Sequence, residues 1–444
     1  MSEPQSPAKV PSGRWYRIVP VLILLYTVAY MDRYNIGFAI AGGMTNDLGV
    51  DAGFAGFAAG IFFWGYLALQ FPGGHFAEKG YAKTFIAVAL VVWSLLTIAL
   101  GFVQTGNQLL VLRFLMGIAE GGVFPAIYTI LGNWFPAKES GRASALFITN
   151  TAVASLIAGP LSGFLLSYFD WRMLFIVEGV LSLSFIFVWL PLISETPRRA
   201  RWISAAELDY IEREIAADKK RTMSADNERS GRAGLFRDLN LWKLSAIYLC
   251  YHIANGAYVV WLPSLTKAIT AQNIGIVGLL TTVPFMLTFV GLYLFGSLSD
   301  RSLNRKGYTM ASMIGFGMCF LFAAALKNQP WIAFACLSLS GLFLKPTISL
   351  FWTMPKVIFR PEVVGGARGV INGIGNLGGF FGPTIVGYAA TYAGGYDAGI
   401  YVLGVFLLIG AAITATLPAA TAGAAGATPA AASYAATPAT SSES

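Results

Sequence analysis

Runs of about 20 continuous apolar residues recur along the whole of this chain, and they constrain its fold more than any other feature. Each run is long enough to cross ~30 Å of hydrocarbon as a helix. Only helices and closed barrels satisfy all backbone polar groups in lipid, and the continuous rather than alternating pattern selects helices. The runs fall at about 15–41, 53–77, 83–103, 108–131, 141–168, 172–193, 241–266, 274–299, 308–327, 330–354, 365–393 and 396–418. Only 12% of residues are charged against 56% hydrophobic. That is about half the charge of a soluble domain, and such a chain in water would expose large sticky patches. An all-α integral membrane protein of twelve transmembrane helices is expected.

The one long polar segment, 194–238, holds 10 basic and 9 acidic residues. Within it, ISAAELDYIEREIAADKK reads as a short amphipathic helix, with Ser204 as its cap and Glu207 three residues on. The organisation expected is a six-helix bundle at 1–193, a cytoplasmic linker at 194–240, a second six-helix bundle at 241–418 and a disordered Ala/Thr/Ser/Pro tail at 419–444. The opening MSEPQSPAKVPSGRWYR is polar for too long to be a removable signal peptide, so the first helix is expected to stay. Cys250, Cys319 and Cys336 lie inside apolar runs without metal-site spacing and read as packing residues.

The net charge of +8 is a matter of topology. With the amino terminus inside, Arg172, Lys267 and Lys327 fall in outer loops and Arg33, Arg113 and Lys345 within helices, which leaves 24 of the 30 basic residues on the inner side. This positive-inside asymmetry predicts an inner-membrane protein with both termini cytoplasmic, and removes the argument for nucleic acid. The second half also echoes the first. GHFAEK at 74–79 corresponds to GSLSDR at 296–301, GNWFPAKESGRA at 132–143 to VIFRPEVVGGARG at 357–369, and Asn150 before Gly159-Pro160 to Asn376 before Gly382-Pro383. Two six-helix halves related in this way predict two bundles around a central cavity, with a ligand bound between them near the midplane.

A charge at mid-bilayer costs at least ~2.5 kcal/mol, so every ionisable group inside a span is a functional candidate. These are Asp32, Arg33, Arg113, Glu120, Glu178, His252 and Lys345. Arg113 and Glu120, seven apart, share one face of the fourth helix. Glu178 reads as a lock to a neighbouring helix, and His252 as a packing residue. Lys345 stands mid-helix directly before Pro346, and its i, i+4, i+7 spacing puts it on one face with Ser349 and Trp352. It either pairs with an acid such as Glu178 or binds an anion. Asp32, Arg33, Arg113 and Glu120 sum to zero charge. A carboxylate held by an arginine fork would make that site negative, and a proton on Glu120 or Asp32 would restore neutrality. The residues alone therefore suggest proton-coupled symport of an organic anion.

The segments YMDRYNIGFA at 30–39, RFLMGIAEGGVFPA at 113–126, DWRMLFIVEG at 170–179, ETPRRARWISAAE at 195–207 and NGIGNLGGFFGP at 372–383 carry a resemblance. Together they look like the anion:cation symporter family of the major facilitator superfamily, over about residues 15–418. The resemblance implies the major facilitator fold and a carrier of acids such as sugar acids, tartrate, phthalate or hydroxyphenylacetate. It further implies Arg33 on the substrate carboxylate beside Asp32, an Arg113–Glu120 pair with Glu120 as the coupling proton site, and cavity residues at Tyr66, Gln70, Asn150, Trp352 and Asn372. Two positions depart from the family pattern. Glu78-Lys79 is followed by GYAK where the loop after helix 2 normally has an aspartate and a tighter basic run, and Lys345 has no family counterpart.

A sodium-coupled or exchange-type carrier is the alternative within the same class. A membrane enzyme or sensor would need a nucleophile, metal cluster or catalytic pair, and the sequence offers none of these. An exporter of amphipathic drugs would have a more apolar pocket. No cofactor or metal is expected. The partners expected are a small organic anion, protons and membrane lipid, with the monomer as the working unit. Aromatic acids would stack on Trp352, Tyr66 or Tyr34, whereas sugar acids would use Gln70, Asn150, Asn372 and Ser349.

Overall fold

The computed structural model describes residues 12–225, 232–302 and 304–418, so the expected tail at 419–444 lies outside the described residues. Among the described residues every regular element is a helix. Nine stretches are long and apolar enough to cross a membrane, and one of them, Ala52–Leu100, is long enough to cross twice. That stretch turns over at Gly80, whose φ of 86° interrupts the helix. Among the described residues two further long helical stretches, Leu239–Thr270 and 361–393, bring the crossings to twelve.

In chain order these are α1 (Gly13–Ala41), α2 (Ala52–Phe76), α3 (Ala82–Leu100), α4 (Gly106–Trp134), α5 (Ala137–Tyr168) and α6 (Trp171–Leu192). The second set is α7 (Leu239–Thr270), α8 (Ile274–Ser302), α9 (Arg305–Ala325), α10 (Pro330–Ile358), α11 (361–393) and α12 (Asp397–Ala415). Several helices begin at short polar side chains that take up a free backbone N–H. Asp51 accepts from Phe54 at 2.7 Å, Asp170 from Met173 at 3.0 Å and Asn273 from Ile276 at 3.0 Å. Others are broken at mid-length: α4 at Gly122, α5 at Thr149, α10 at Ser340 and α11 at Leu377. Such breaks are tolerated in lipid where neighbouring helices or a cavity cover the freed backbone groups.

α1–α6 form one bundle and α7–α12 the other, and they meet along three helix pairs: α1 with α7, α2 with α11, and α5 with α8. The approach is very close. A Cβ on Gly56 of α2 would fall 2.3 Å from the Pro383 carbonyl oxygen, and one on Gly278 of α8 would fall 2.4 Å from that of Gly159. Hydrogen bonds cross at the same end: Gly53 N donates to Thr391 Oγ1 at 2.9 Å and Lys267 Nζ to the Ala41 carbonyl at 2.7 Å. This is the end away from the chain termini. At the opposite end, a Cβ on Gly365, Gly369 or Gly373 of α11 would meet open space. Among the described residues the tightest contacts between the halves gather at this one end, and the central cavity lies beneath that closure.

The linker helix Ala205–Ala225 begins as its sequence suggests, with Ser204 Oγ accepting from Glu207 N at 3.2 Å. It docks on the first bundle. Arg14 donates to Glu207 at 2.7 Å and to Glu139 at 2.6 Å, and Trp202 stacks on Trp134 at 5.2 Å.

Candidate functional site

A cavity of about 240 Å3 separates the two bundles and is lined by helices of both. Its first-half wall carries Tyr30, Arg33, Tyr34, Phe62 and Arg113. Its second-half wall carries Tyr248, His252, Asn255, Lys345 and Asn376.

Arg33 is held in a particular way. Its Nε donates to Glu120 Oε2 of α4 at 2.9 Å, with Glu120 1% exposed. The guanidinium carbon also lies 4.9 Å from the ring centres of Tyr30 and Tyr66, 5.3 Å from Phe62 and 5.7 Å from Tyr26. Aromatic faces attract a guanidinium, and more strongly out of water. The ring cage thus fixes the cation while its Nη2, without a protein partner, stays available. Glu120 likewise keeps one oxygen, Oε1, unpartnered.

The expected Arg113–Glu120 pair does not form, because Glu120 turns to α1 and takes Arg33. Arg113 sits against the Phe62 ring at 5.2 Å and donates to the Ala59 carbonyl at 3.5 Å. It makes no ion pair among the described residues, but the Glu120 and Asp32 carboxylates lie within electrostatic reach of it. Seven residues along a helix fix a shared face, but the nearer cation on another helix decides the partner.

Asp32 is fully buried and turned away from the cavity, where its Oδ2 accepts from Ser182 Oγ of α6 at 3.2 Å. Next to it Glu178 accepts from Ser162 Oγ of α5 at 3.3 Å, so Glu178 does tie α6 to its neighbour. The alternative that paired Lys345 with Glu178 is not seen: no ion pair joins them among the described residues, and Glu178 takes Ser162 instead. Lys345 lines the cavity and makes no ion pair among the described residues.

The remaining candidates stand apart from the lining. Tyr66 is behind Arg33 as part of its ring cage. Trp352 forms a second layer, edge-on to Tyr248 at 5.0 Å. Asn150 is buried and spends its amide N–H on the Phe147 carbonyl one turn back. Gln70 and Asn372 are half-buried and Ser349 is exposed, each outside the lining. Asn376, one turn beyond Asn372, reaches the cavity in its place. The sequence reading missed Asn255 and Tyr248 as site residues, although the spacing of Tyr248, His252 and Asn255 along α7 was the available signal. His252 meets the rings of Tyr248 and Tyr251 at 4.4 and 5.4 Å.

Comparison with known proteins agrees with this architecture. A protein of Agrobacterium vitis named for tartrate transport is 31% identical over 412 residues, covering 90% of this chain and 90% of its own length. A quinolone resistance transporter of Acinetobacter baumannii is 29% identical over 411 residues, covering 90% of this chain and 92% of its own. Among solved structures, a bacterial homologue of the human lysosomal transporter Spinster, inward-facing and unoccupied, superposes with a TM-score of 0.70 at 17% identity. It covers 90% of this chain and 96% of its own length, a likeness that carries the fold alone. The Major Facilitator Superfamily profile matches residues 22–275 and again 244–440. With twelve crossings, two bundles and a cavity between them, this multi-pass membrane transporter belongs to the Major Facilitator Superfamily.

Proposed function

We propose that this protein is a secondary active carrier that imports a small organic carboxylate with protons, by alternating access across the inner membrane. The observation that carries the reading is the Arg33–Glu120 pair at the cavity wall. Arg33 is the cation best prepared for a carboxylate, because its ring cage holds it in place while one nitrogen has no protein partner. A substrate carboxylate that takes Arg33 leaves Glu120 as a bare charge in a dry site, a cost that a proton on Glu120 removes. Three cations (Arg33, Arg113, Lys345) and three carboxyls (Asp32, Glu120, Glu178) sum to zero when all are ionised. Each negative charge entering this low-dielectric region then calls for one proton, with Glu120 as the first acceptor and Asp32 behind it.

The relative named for tartrate transport supports an organic acid as cargo. The ring-lined first-half wall accommodates aromatic acids as well as sugar acids. The excess of Lys and Arg on the terminal side favours cytoplasmic termini. Residues 1–193 and 241–418 would move as the two rocking bodies, 194–240 as their linker, and the monomer contains the whole pathway.

The test is uptake into proteoliposomes of a panel of radiolabelled carboxylates, with and without an inward proton gradient, wild type beside Glu120→Gln. Accumulation driven by the gradient in wild type, reduced to exchange in the variant, is the expected result. Uptake indifferent to the proton gradient but dependent on sodium would replace proton coupling with the sodium-coupled alternative.

A further inference from the structure

We infer that the cargo is a dianion, held at one end by the arginines of the first-half wall and at the other by Lys345 of the second. This rests on the organic-anion reading above and narrows it.

The lining is unevenly compensated. Arg33 pairs with Glu120, and Arg113 lies within electrostatic reach of Glu120 and Asp32, whereas Lys345 has no carboxylate partner among the described residues. Arg113 on α4 and Lys345 on α10 stand on opposite bundles, and both border the same 240 Å3 cavity. Lys345 cannot reach past the bilayer interior as a surface lysine does. It stands mid-helix before Pro346 in α10, with the buried Leu344 and Thr347 beside it. Its neighbours across the second-half wall, His252, Asn255 and Asn376, supply no negative charge. A half-buried charge at mid-membrane without a partner is disfavoured, so this ammonium is poised for a counter-ion that enters from outside the protein.

One anionic group can contact the cations of only one wall. A molecule with an anionic group at each end contacts both and draws the bundles together, which is the movement that alternating access requires. Binding energy gained only in the closed state drives closure, whereas energy gained equally in both states does not. Lys345 is therefore a specificity residue for the second anionic group, and a trigger for translocation rather than for first capture. A monoanion would dock on Arg33 and still fail to pull α10 inward. The neutral donors beside Lys345, Asn255 and Asn376, suit hydroxyl or carbonyl groups between the two charges.

The experiment uses matched pairs that differ by one carboxylate: tartrate with threonate, galactarate with galactonate, and phthalate with benzoate. Uptake and binding are measured on the full chain in proteoliposomes, for wild type, Lys345→Gln and Lys345→Arg. In wild type the dianion of at least one pair is expected to be transported about tenfold or more faster than its partner. Lys345→Gln should weaken that dianion about 10- to 100-fold and leave monoanion binding within about twofold, the loss of one charge-assisted contact. Lys345→Arg keeps the charge and should retain most dianion transport, which separates a lost contact from a misfolded carrier. Equal loss for both members of a pair in Lys345→Gln, or monoanions carried as well as dianions by wild type, would overturn the dianion assignment alone. If no acid of either kind is carried, the organic-anion reading fails and this inference with it.

Discussion

The two walls of the cavity are built differently. On the first-half wall nearly every polar group belongs to a charge network: Arg33 with Glu120, Arg113 against Phe62, and Asp32 behind them with Ser182. On the second-half wall a single charge, Lys345, stands among neutral groups such as Asn255, His252 and Asn376. The two halves carry echoing segments in the sequence, yet their lining residues differ. Under the proposed function the first half would capture the carboxylate and exchange the proton, and the second would recognise the rest of the molecule.

The comparison breaks most severely at Arg33. Arg33→Ala leaves Glu120 buried and unpaired, a loss of about 3–5 kcal/mol. Uptake should fall more than 100-fold, and thermal unfolding of the detergent-purified protein should move to lower temperature. Adding Glu120→Gln to it should recover the unfolding temperature but not uptake. If the double variant is as unstable as the single one, the pair is not where the strain lies.

Closing the far end is the next largest effect. Gly278 packs on Gly159 with no room for a side chain, so Gly278→Val should hold the bundles apart there and lower transport about tenfold or more. A cysteine placed at Val259, on the cavity, should then react faster with an impermeant thiol reagent added at the face away from the termini. Unchanged labelling would mean that this contact is not the seal.

The second-half wall should respond more gently. Asn255→Ala and Asn376→Ala each remove one neutral hydrogen-bonding group, worth about 1 kcal/mol, and should raise KM about fivefold with kcat nearly constant. Losses as large as those at Arg33 would erase the distinction between the walls. The smallest effect separates the lining from the layer behind it. Trp352→Phe keeps a ring against Tyr248 and should change uptake less than about twofold.

The helices were legible almost end to end, because a membrane span needs a fixed length of apolar residues whatever surrounds it. The linker helix was legible through its cap, since Ser204 and Glu207 interact locally. Cavity residues were legible where a charge had no cheaper explanation, as at Arg33, Arg113 and Lys345. They were misplaced where the argument needed a side-chain direction. Asn372 was expected in the cavity and Asn376 is found there: the two share a face of one helical stretch, and the cavity lies one turn, about 6 Å, farther along it. Ser349 lies one turn from Lys345 on the same face of an ideal helix, yet stands outside the lining beyond Pro346.

Sequence by itself determined that this chain is a helical membrane protein of two related halves, with buried charges too costly to be incidental. Hydrocarbon imposes that result residue by residue, through the cost of every unsatisfied backbone group and every stranded charge. Only the tertiary structure decided which charge meets which. Glu120 joined Arg33 of another helix rather than Arg113 of its own, Asp32 turned behind the wall, and Lys345 was left facing the cavity. Those choices depend on helix rotation, kinks and the packing of glycines between bundles, none of which is written in the spacing of residues along one helix.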